Sequence, residues 1–132
     1  FASNWSERHA AYICGLGTFG LSKGLITKKG IASRFGSVIT SAPIEPTQRA
    51  YVGLYDYCTM CGKCGENCPV NAITVQGGKD HRTCSPYVDL TSQLYAPRLG
   101  CGKCQVNVPC QDGIPNLEFH QDSGDMVPLS DV

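Results

Sequence analysis

Nine cysteines in 132 residues, most of them crowded together, constrain this chain more than any other feature. One run reads Cys58-x2-Cys61-x2-Cys64-x3-Cys68-Pro69, and a second set follows at Cys84, Cys101, Cys104 and Cys110. The quartet Cys101-Gly102-Lys103-Cys104 repeats Cys61-Gly62-Lys63-Cys64 letter for letter, an internal repeat that suggests pseudo-two-fold symmetry. A disulfide framework suits a secreted chain, but here the count is odd and the short spacings favour metal. Structural zinc also uses close cysteine pairs, yet rarely three cysteines at x2, x2 followed by x3 and Cys-Pro.

That run has the spacing of bacterial 4Fe–4S ferredoxins, in which the fourth cysteine ligates the other cluster of a pair. Three thiolates two residues apart wrap a tight loop around one cubane. Cys68 lies on the helical turn that follows, points away and reaches a neighbour; Pro69, lacking an N–H, stops the turn. The expected ligands of a first cluster are Cys58, Cys61, Cys64 and Cys110, and those of a second are Cys68, Cys84, Cys101 and Cys104. The second half departs from the simple pattern in two ways. Sixteen residues separate Cys84 from Cys101, and the last cysteine follows its proline (Pro109-Cys110) instead of preceding one. The ninth cysteine, Cys14, has no partner and is expected to be a buried structural thiol.

The fold class expected is α+β, a two-cluster ferredoxin-like module preceded by a helix and a β-hairpin. Low charge (17%) and 15 glycines fit a chain threaded around inorganic cores that replace much of a hydrophobic core. The net charge is zero but unevenly placed. Residues 1–50 carry six Lys/Arg against Glu7 and Glu45, while residues 51–132 carry five against nine acids. The basic half suits a phosphate-bearing partner or cofactor, or simply a solvated surface beside an acidic neighbour. No apolar run approaches the roughly 18 residues of a membrane helix, and no signal or twin-arginine segment is recognisable. Reduced thiols and labile clusters point to a reducing cytoplasm, in an anaerobic or oxygen-sparing organism.

Along the chain, Asn4 as N-cap with Glu7 as its capping-box partner predicts a helix over Trp5–Cys14, with Gly15 just past its end. The following Gly15-Leu16-Gly17-Thr18-Phe19-Gly20 matches G-x-G-x-x-G, but it follows a helix where dinucleotide binding requires a strand, and no acid lies about 20 residues on. These glycines are read as a tight turn or a close approach. Gly24–Thr27 and Ile31–Thr40 read as two strands joined by Lys28-Lys29-Gly30. Ser41–Pro46 reads as a linker. Asn71–Val75 suits a strand returning over His81–Thr83, and Ser85 with Pro86 is expected to open a helix through about Tyr95. Three regions result: 1–46, helix plus hairpin; 47–115, the double-cluster module; and 116–132, an irregular acidic tail. A two-stranded hairpin is marginal alone and the chain starts at Phe1, so it is expected to be a piece of a longer polypeptide.

Ala11–Gly20 resembles the A-G-L-G-x-x-G segment of epoxyqueuosine reductases and their reductive-dehalogenase relatives. The likeness continues through Leu25-Ile26-Thr27 and Gly36–Thr40, resumes over Cys58–Ile73, and runs through Arg82-Thr83-Cys84 and Gly100–Gln105. The family also sets a lone cysteine well before a C-x2-C pair, as here, while its final C-P-W-N is Val108-Pro109-Cys110-Gln111 in this chain. The resemblance implies a cobalamin-dependent reductase fed with electrons by two 4Fe–4S clusters, with residues 1–45 ending a nitroreductase-like cobalamin-binding domain. It implies the upstream cobalamin domain and an electron donor such as a ferredoxin or flavodoxin as partners, and tRNA only if the parent is a true epoxyqueuosine reductase. The alternative is a stand-alone ferredoxin-like carrier that docks on a partner without cobalamin. Lys23, Lys28, Lys29 and Arg34 are read as a solvated hairpin, the periphery of a corrinoid being the other option. His9, His81 and His120 have no ligand-spaced companions, Glu66 and Asp80 are too isolated for an acid/base pair, and no catalytic residue is assigned.

Overall fold

A computed structural model describes residues 3–98, 100–115, 117–119 and 126–128. Helix α1 spans Glu7–Ile13 and is capped by Ser6, whose hydroxyl accepts from His9 N–H. Asn4 is therefore not the cap, and Glu7 becomes the first helical residue, where its carboxylate accepts from Trp5 Nε1 and Ser37 Oγ. The helix ends at Cys14, and Gly15 takes the left-handed conformation at φ 83. Seven residues make too short a helix to bury more than one position, Ala11. Cys14 is exposed, contrary to the buried thiol expected from sequence.

Strand β1 (Gly17–Phe19) pairs antiparallel with β2 (Leu25–Thr27), Thr18 opposite Ile26. The hairpin is thus shifted from the one the sequence suggested. Leu25–Thr27 is a strand, but its partner is the preceding glycine-rich segment. A side chain at Gly17 would put its Cβ 2.0 Å from the Ile26 carbonyl oxygen, so the second glycine of the motif permits close strand approach. Ile31–Thr40 forms no strand, because its first amides bond elsewhere: Ile31 N–H donates to Cys110 O (2.8 Å) and Ala32 N–H to Gln111 O (3.3 Å). Beyond them the chain runs exposed through Ser41–Pro46, with Val38 and Ile39 89% and 97% accessible.

Residues 51–58 return to the hairpin. Tyr51 is buried; its hydroxyl donates to Tyr12 O (2.5 Å) and accepts from Gly17 N–H (3.3 Å). Phe19 N–H donates to Leu54 O, and Tyr57 N–H to Thr18 Oγ1. One core joins Ile26 and Ile31 to Val108 and Ile114. The core therefore runs across the boundary expected near residues 46 and 47, and the early hairpin gains the support that a lone two-stranded ribbon lacks.

Helix α2 (Lys63–Glu66) follows, then β3 (Ile73–Thr74), paired antiparallel with β4 (Gly78–Lys79). His81–Thr83 is not a return strand. It opens helix α3, His81–Leu94, because Asp80 is an N-cap: its carboxylate accepts from Arg82 N–H and Thr83 N–H. That cap lies five residues before Ser85, so Pro86 sits inside the helix, where it forgoes one backbone bond. A single 3₁₀ turn covers Lys103–Gln105. Within the stretch expected to be irregular, β5 (Leu117–Phe119) pairs with β6 (Met126–Pro128). The rest of 116–132 lies outside the described residues. The architecture is α+β, small helices and two-stranded antiparallel sheets.

Candidate metal centres

The repeated Cys-Gly-Lys-Cys quartets fold alike. Gly62 (φ 79, ψ −9) and Gly102 (φ 69, ψ −8) both take the left-handed conformation just before a helical turn. In each quartet this kink lets the flanking cysteines turn toward one space, as a β-carbon would resist. The two turns pack side by side, joined by Asn67 Nδ2, which donates to Val106 O at 2.9 Å.

The eight cysteines sort into two groups of four. Cys58, Cys61, Cys64 and Cys110 line one cavity, with Ile26, Ile31 and Val108 among its walls. Cys68, Cys84, Cys101 and Cys104 line another, with Tyr87, Val88 and the cations Arg34, Lys79 and Lys103. Each group takes its outlying member from the other half of the repeat. Cys68 follows α2 by a turn closed by Cys68 N–H to Gly65 O (3.0 Å), and its sulfur accepts from Ala72 N–H (3.2 Å). Cys110 is held where Ile31 N–H grips its carbonyl. Cys84 enters from α3, where Cys84, Tyr87 and Val88 share one face at helical spacing. Cys14 lines neither cavity.

The two cavities differ electrically. Among the described residues, none that lines the first is charged. Burial there pushes the Cys64 thiol up to about 11, with Cys104, Cys58 and Cys61 adding repulsion. Burial likewise pushes Cys110 up to about 11, with Cys58 adding to it. In the second cavity burial raises Cys104, but the Lys79 ammonium opposes the shift. Four thiolates around an apolar space repel one another and need positive metal among them. That donor set suits an iron–sulfur cubane, whose bound form is carried by deprotonated cysteines. Among the described residues no group of three or more His, Cys, Asp or Glu converges on a point that one metal ion would fill. The thiols stand around spaces instead.

Spacing alone located the cysteines; the basic lining of the second cavity it did not. Arg34, Lys79 and Lys103 lie far apart in sequence, and only the repeat hinted that Lys103 sits beside a ligand loop.

Residues 52–74 match the 4Fe-4S binding domain family, a stretch that contains Cys58, Cys61, Cys64 and Cys68. The chain is 29% identical over 126 residues to an epoxyqueuosine reductase of Bacillus anthracis, covering 87% of this chain and 31% of that protein. It is 32% identical over 116 residues to a trichloroethene reductive dehalogenase of Dehalococcoides mccartyi, covering 80% and 20%. A tetrachloroethene reductive dehalogenase of Dehalobacter restrictus is 34% identical over 73 residues, covering 54% and 13%. The chain is related to both kinds of reductase over most of its length. It spans about a third or less of the length of these curated relatives. No solved structure matches it. No helix among the described residues is long and apolar enough to cross a membrane.

Proposed function

We propose that this chain is an electron-transfer module that holds two 4Fe–4S clusters within a cobalamin-dependent reductase of the epoxyqueuosine reductase-like type. The observation that supports it is the sorting of eight cysteines around two adjacent cavities, four to each. Cys58, Cys61, Cys64 and Cys110 would hold one cluster, and Cys68, Cys84, Cys101 and Cys104 the other. When bound, such clusters take up and release single electrons, and the protein tunes them through hydrogen bonds, charge and exposure. Here Ile26, Ile31, Val108 and Pro115 give the first cavity an apolar lining. Ala72 N–H aimed at Cys68 Sγ, with Arg34, Lys79 and Lys103, would stabilise added negative charge at the second.

Residues 1–46 would be the end of a nitroreductase-like, corrinoid-binding domain, packed on the cluster module so that electrons pass across a fixed interface. A low-potential ferredoxin or flavodoxin would supply them, in a reducing cytoplasm. The relatives' names support the reductase class; a tRNA substrate would follow only if the parent is an epoxyqueuosine reductase.

The test is anaerobic purification of the full natural polypeptide, followed by cobalt analysis and by optical titration with added cob(II)alamin. The reading expects about one cobalt per chain and a change in corrinoid oxidation state driven by the reduced clusters. Full clusters with no corrinoid bound or altered would leave a stand-alone ferredoxin-like carrier in its place.

A further inference from the structure

Three cations from separate elements, Arg8, Lys79 and Arg82, gather beside Cys84. Arg8 projects from α1, and its Nη1 donates to the carbonyl of Lys23 in the β1–β2 turn at 2.5 Å. Lys79 ends β4, and Arg82 lies in the first turn of α3. Arg8, Lys79, His81, Arg82, Cys84 and Ser85 line one open depression of about 580 Å³. Partial burial, then Lys23, Lys79 and Arg8, hold the His81 imidazole below its usual range, with Asp80 opposing them.

This charge is only partly offset. The one ion pair among the described residues is Lys63–Glu66, elsewhere on the surface. Asp80, between Lys79 and His81, caps α3 by accepting from Arg82 N–H, Thr83 N–H and Thr83 Oγ1, and its single carboxylate offsets part of the charge of Arg8, Lys79 and Arg82, leaving cations in excess. The depression also shares a wall with the second cysteine cavity: Lys79, Cys84 and Val88 line both. Among the described residues, no cation lines the first cavity.

We infer that Arg8, Lys79 and Arg82 form the docking surface for an acidic one-electron carrier protein, so that electrons enter through the cluster that Cys68, Cys84, Cys101 and Cys104 would hold. The inference rests on the two-cluster reading above. A concentrated basic patch steers an acidic partner and raises its encounter rate by 10-fold to 10³-fold at low salt. Docking here would set the carrier against the wall that Lys79, Cys84 and Val88 share with the second cavity, and electron transfer weakens steeply with distance. An RNA backbone also seeks basic surface, but single-stranded RNA sites usually add aromatic stacking platforms. Among the described residues, the depression is lined by no Phe, Tyr or Trp.

The test uses the cluster-loaded protein, with iron and sulfide counted first so that a failure of the two-cluster reading is seen separately. Stopped-flow mixing with a reduced acidic bacterial ferredoxin gives the second-order rate of cluster reduction against ionic strength. For the native protein that rate should fall as salt rises. In Arg8→Glu/Arg82→Glu it should fall roughly 10-fold or more at low salt, with the gap closing at high salt. Reduction by the small cation radical of methyl viologen should not slow in the variant, and the paramagnetic resonance spectra of its clusters should be unchanged. A native rate insensitive to salt, or a variant with the native ferredoxin rate, overturns the inference. Intact ferredoxin kinetics with lost binding of tRNA in a gel-shift assay would assign the patch to nucleic acid and overturn it equally.

Discussion

Replacing Gly30 with alanine should remove one cluster and spare the other. Gly30 has φ +87, and a Cβ there would lie 2.0 Å from Gln111 O and 2.6 Å from Asp112 N. Both contacts are backbone, so no side chain can swing aside. The segment after Gly30 holds the loop that carries Cys110, through Ile31 N–H to Cys110 O (2.8 Å) and Ala32 N–H to Gln111 O (3.3 Å). Relief of the clash must part these strands of chain. Left-handed strain in a non-glycine residue costs about 1–2 kcal/mol, and two backbone bonds contribute about 0.5–1.5 kcal/mol each. The sum is roughly 2–5 kcal/mol, placed on the loop that presents Cys110. Two controls separate the causes. Gly102→Ala has the strain alone, with φ +69 and nothing within 4 Å of the new Cβ. Gly36→Ala has neither strain nor neighbour. The assay is iron content after anaerobic reconstitution, with the rate of cluster bleaching in urea. Gly36→Ala should match the native protein, and Gly102→Ala should bleach modestly faster. Gly30→Ala should lose about half its iron, as expected for one missing cubane of two. A Gly30→Ala protein indistinguishable from Gly102→Ala would refute the reasoning.

Three further outcomes are expected. Cys68→Ala should abolish the signal of the cluster shared with Cys84, Cys101 and Cys104 and retain the other, while Cys110→Ala does the reverse; paramagnetic resonance of the reduced variants distinguishes them, and the opposite pattern would show that the crossover is wrong. In the cluster-free protein, Cys64 and Cys110 are raised from 9.0 to about 11, and burial raises Tyr51 and Tyr57 as well; raised acids favour the folded state below their unfolded pKa, so the urea midpoint should hold to about pH 9 and fall toward pH 11, a flat profile contradicting the burial. Lys79→Gln should lower the midpoint potential of the second cluster by on the order of 50 mV, about 1 kcal/mol of Coulomb energy for one electron, and leave the first unmoved in a redox titration; equal shifts in both would deny the cavity assignment.

What could be read from the sequence follows from how local each signal is. Cysteine spacing is a local constraint with one geometric use, so the x2-x2-x3 run was legible as it stood, and the copied Gly62 and Gly102 quartets gave the repeat. The lone Cys84 and the displaced Cys110 were assigned by counting what remained, and their positions in the fold depend on α3 and on Ile31. Strand pairing is not local. Val38 and Ile39 have strand-like character, yet they stand in solvent because the amides before them bond to the Cys110 loop. Gly17–Phe19 looked like a turn, and only its register with Leu25–Thr27 makes it a strand. For α3, the expected cap at Ser85 is not the one the fold uses. Asp80 prevailed over Ser85, since starting earlier satisfies Arg82 and Thr83 N–H at once and carries Cys84 onto the helix. The basic patch was hidden because Arg8, Lys79 and Arg82 converge only through the fold.

The central claim, two cubanes held by eight thiols, is tested most directly by counting iron, acid-labile sulfide and zinc together in protein purified without oxygen. The account predicts about eight iron and eight sulfide per chain, with two interacting paramagnetic signals after full reduction and negligible zinc. Stoichiometric zinc without labile sulfide would contradict it outright, and four iron with four sulfide that reconstitution cannot raise would leave only one of the two cavities with a cluster.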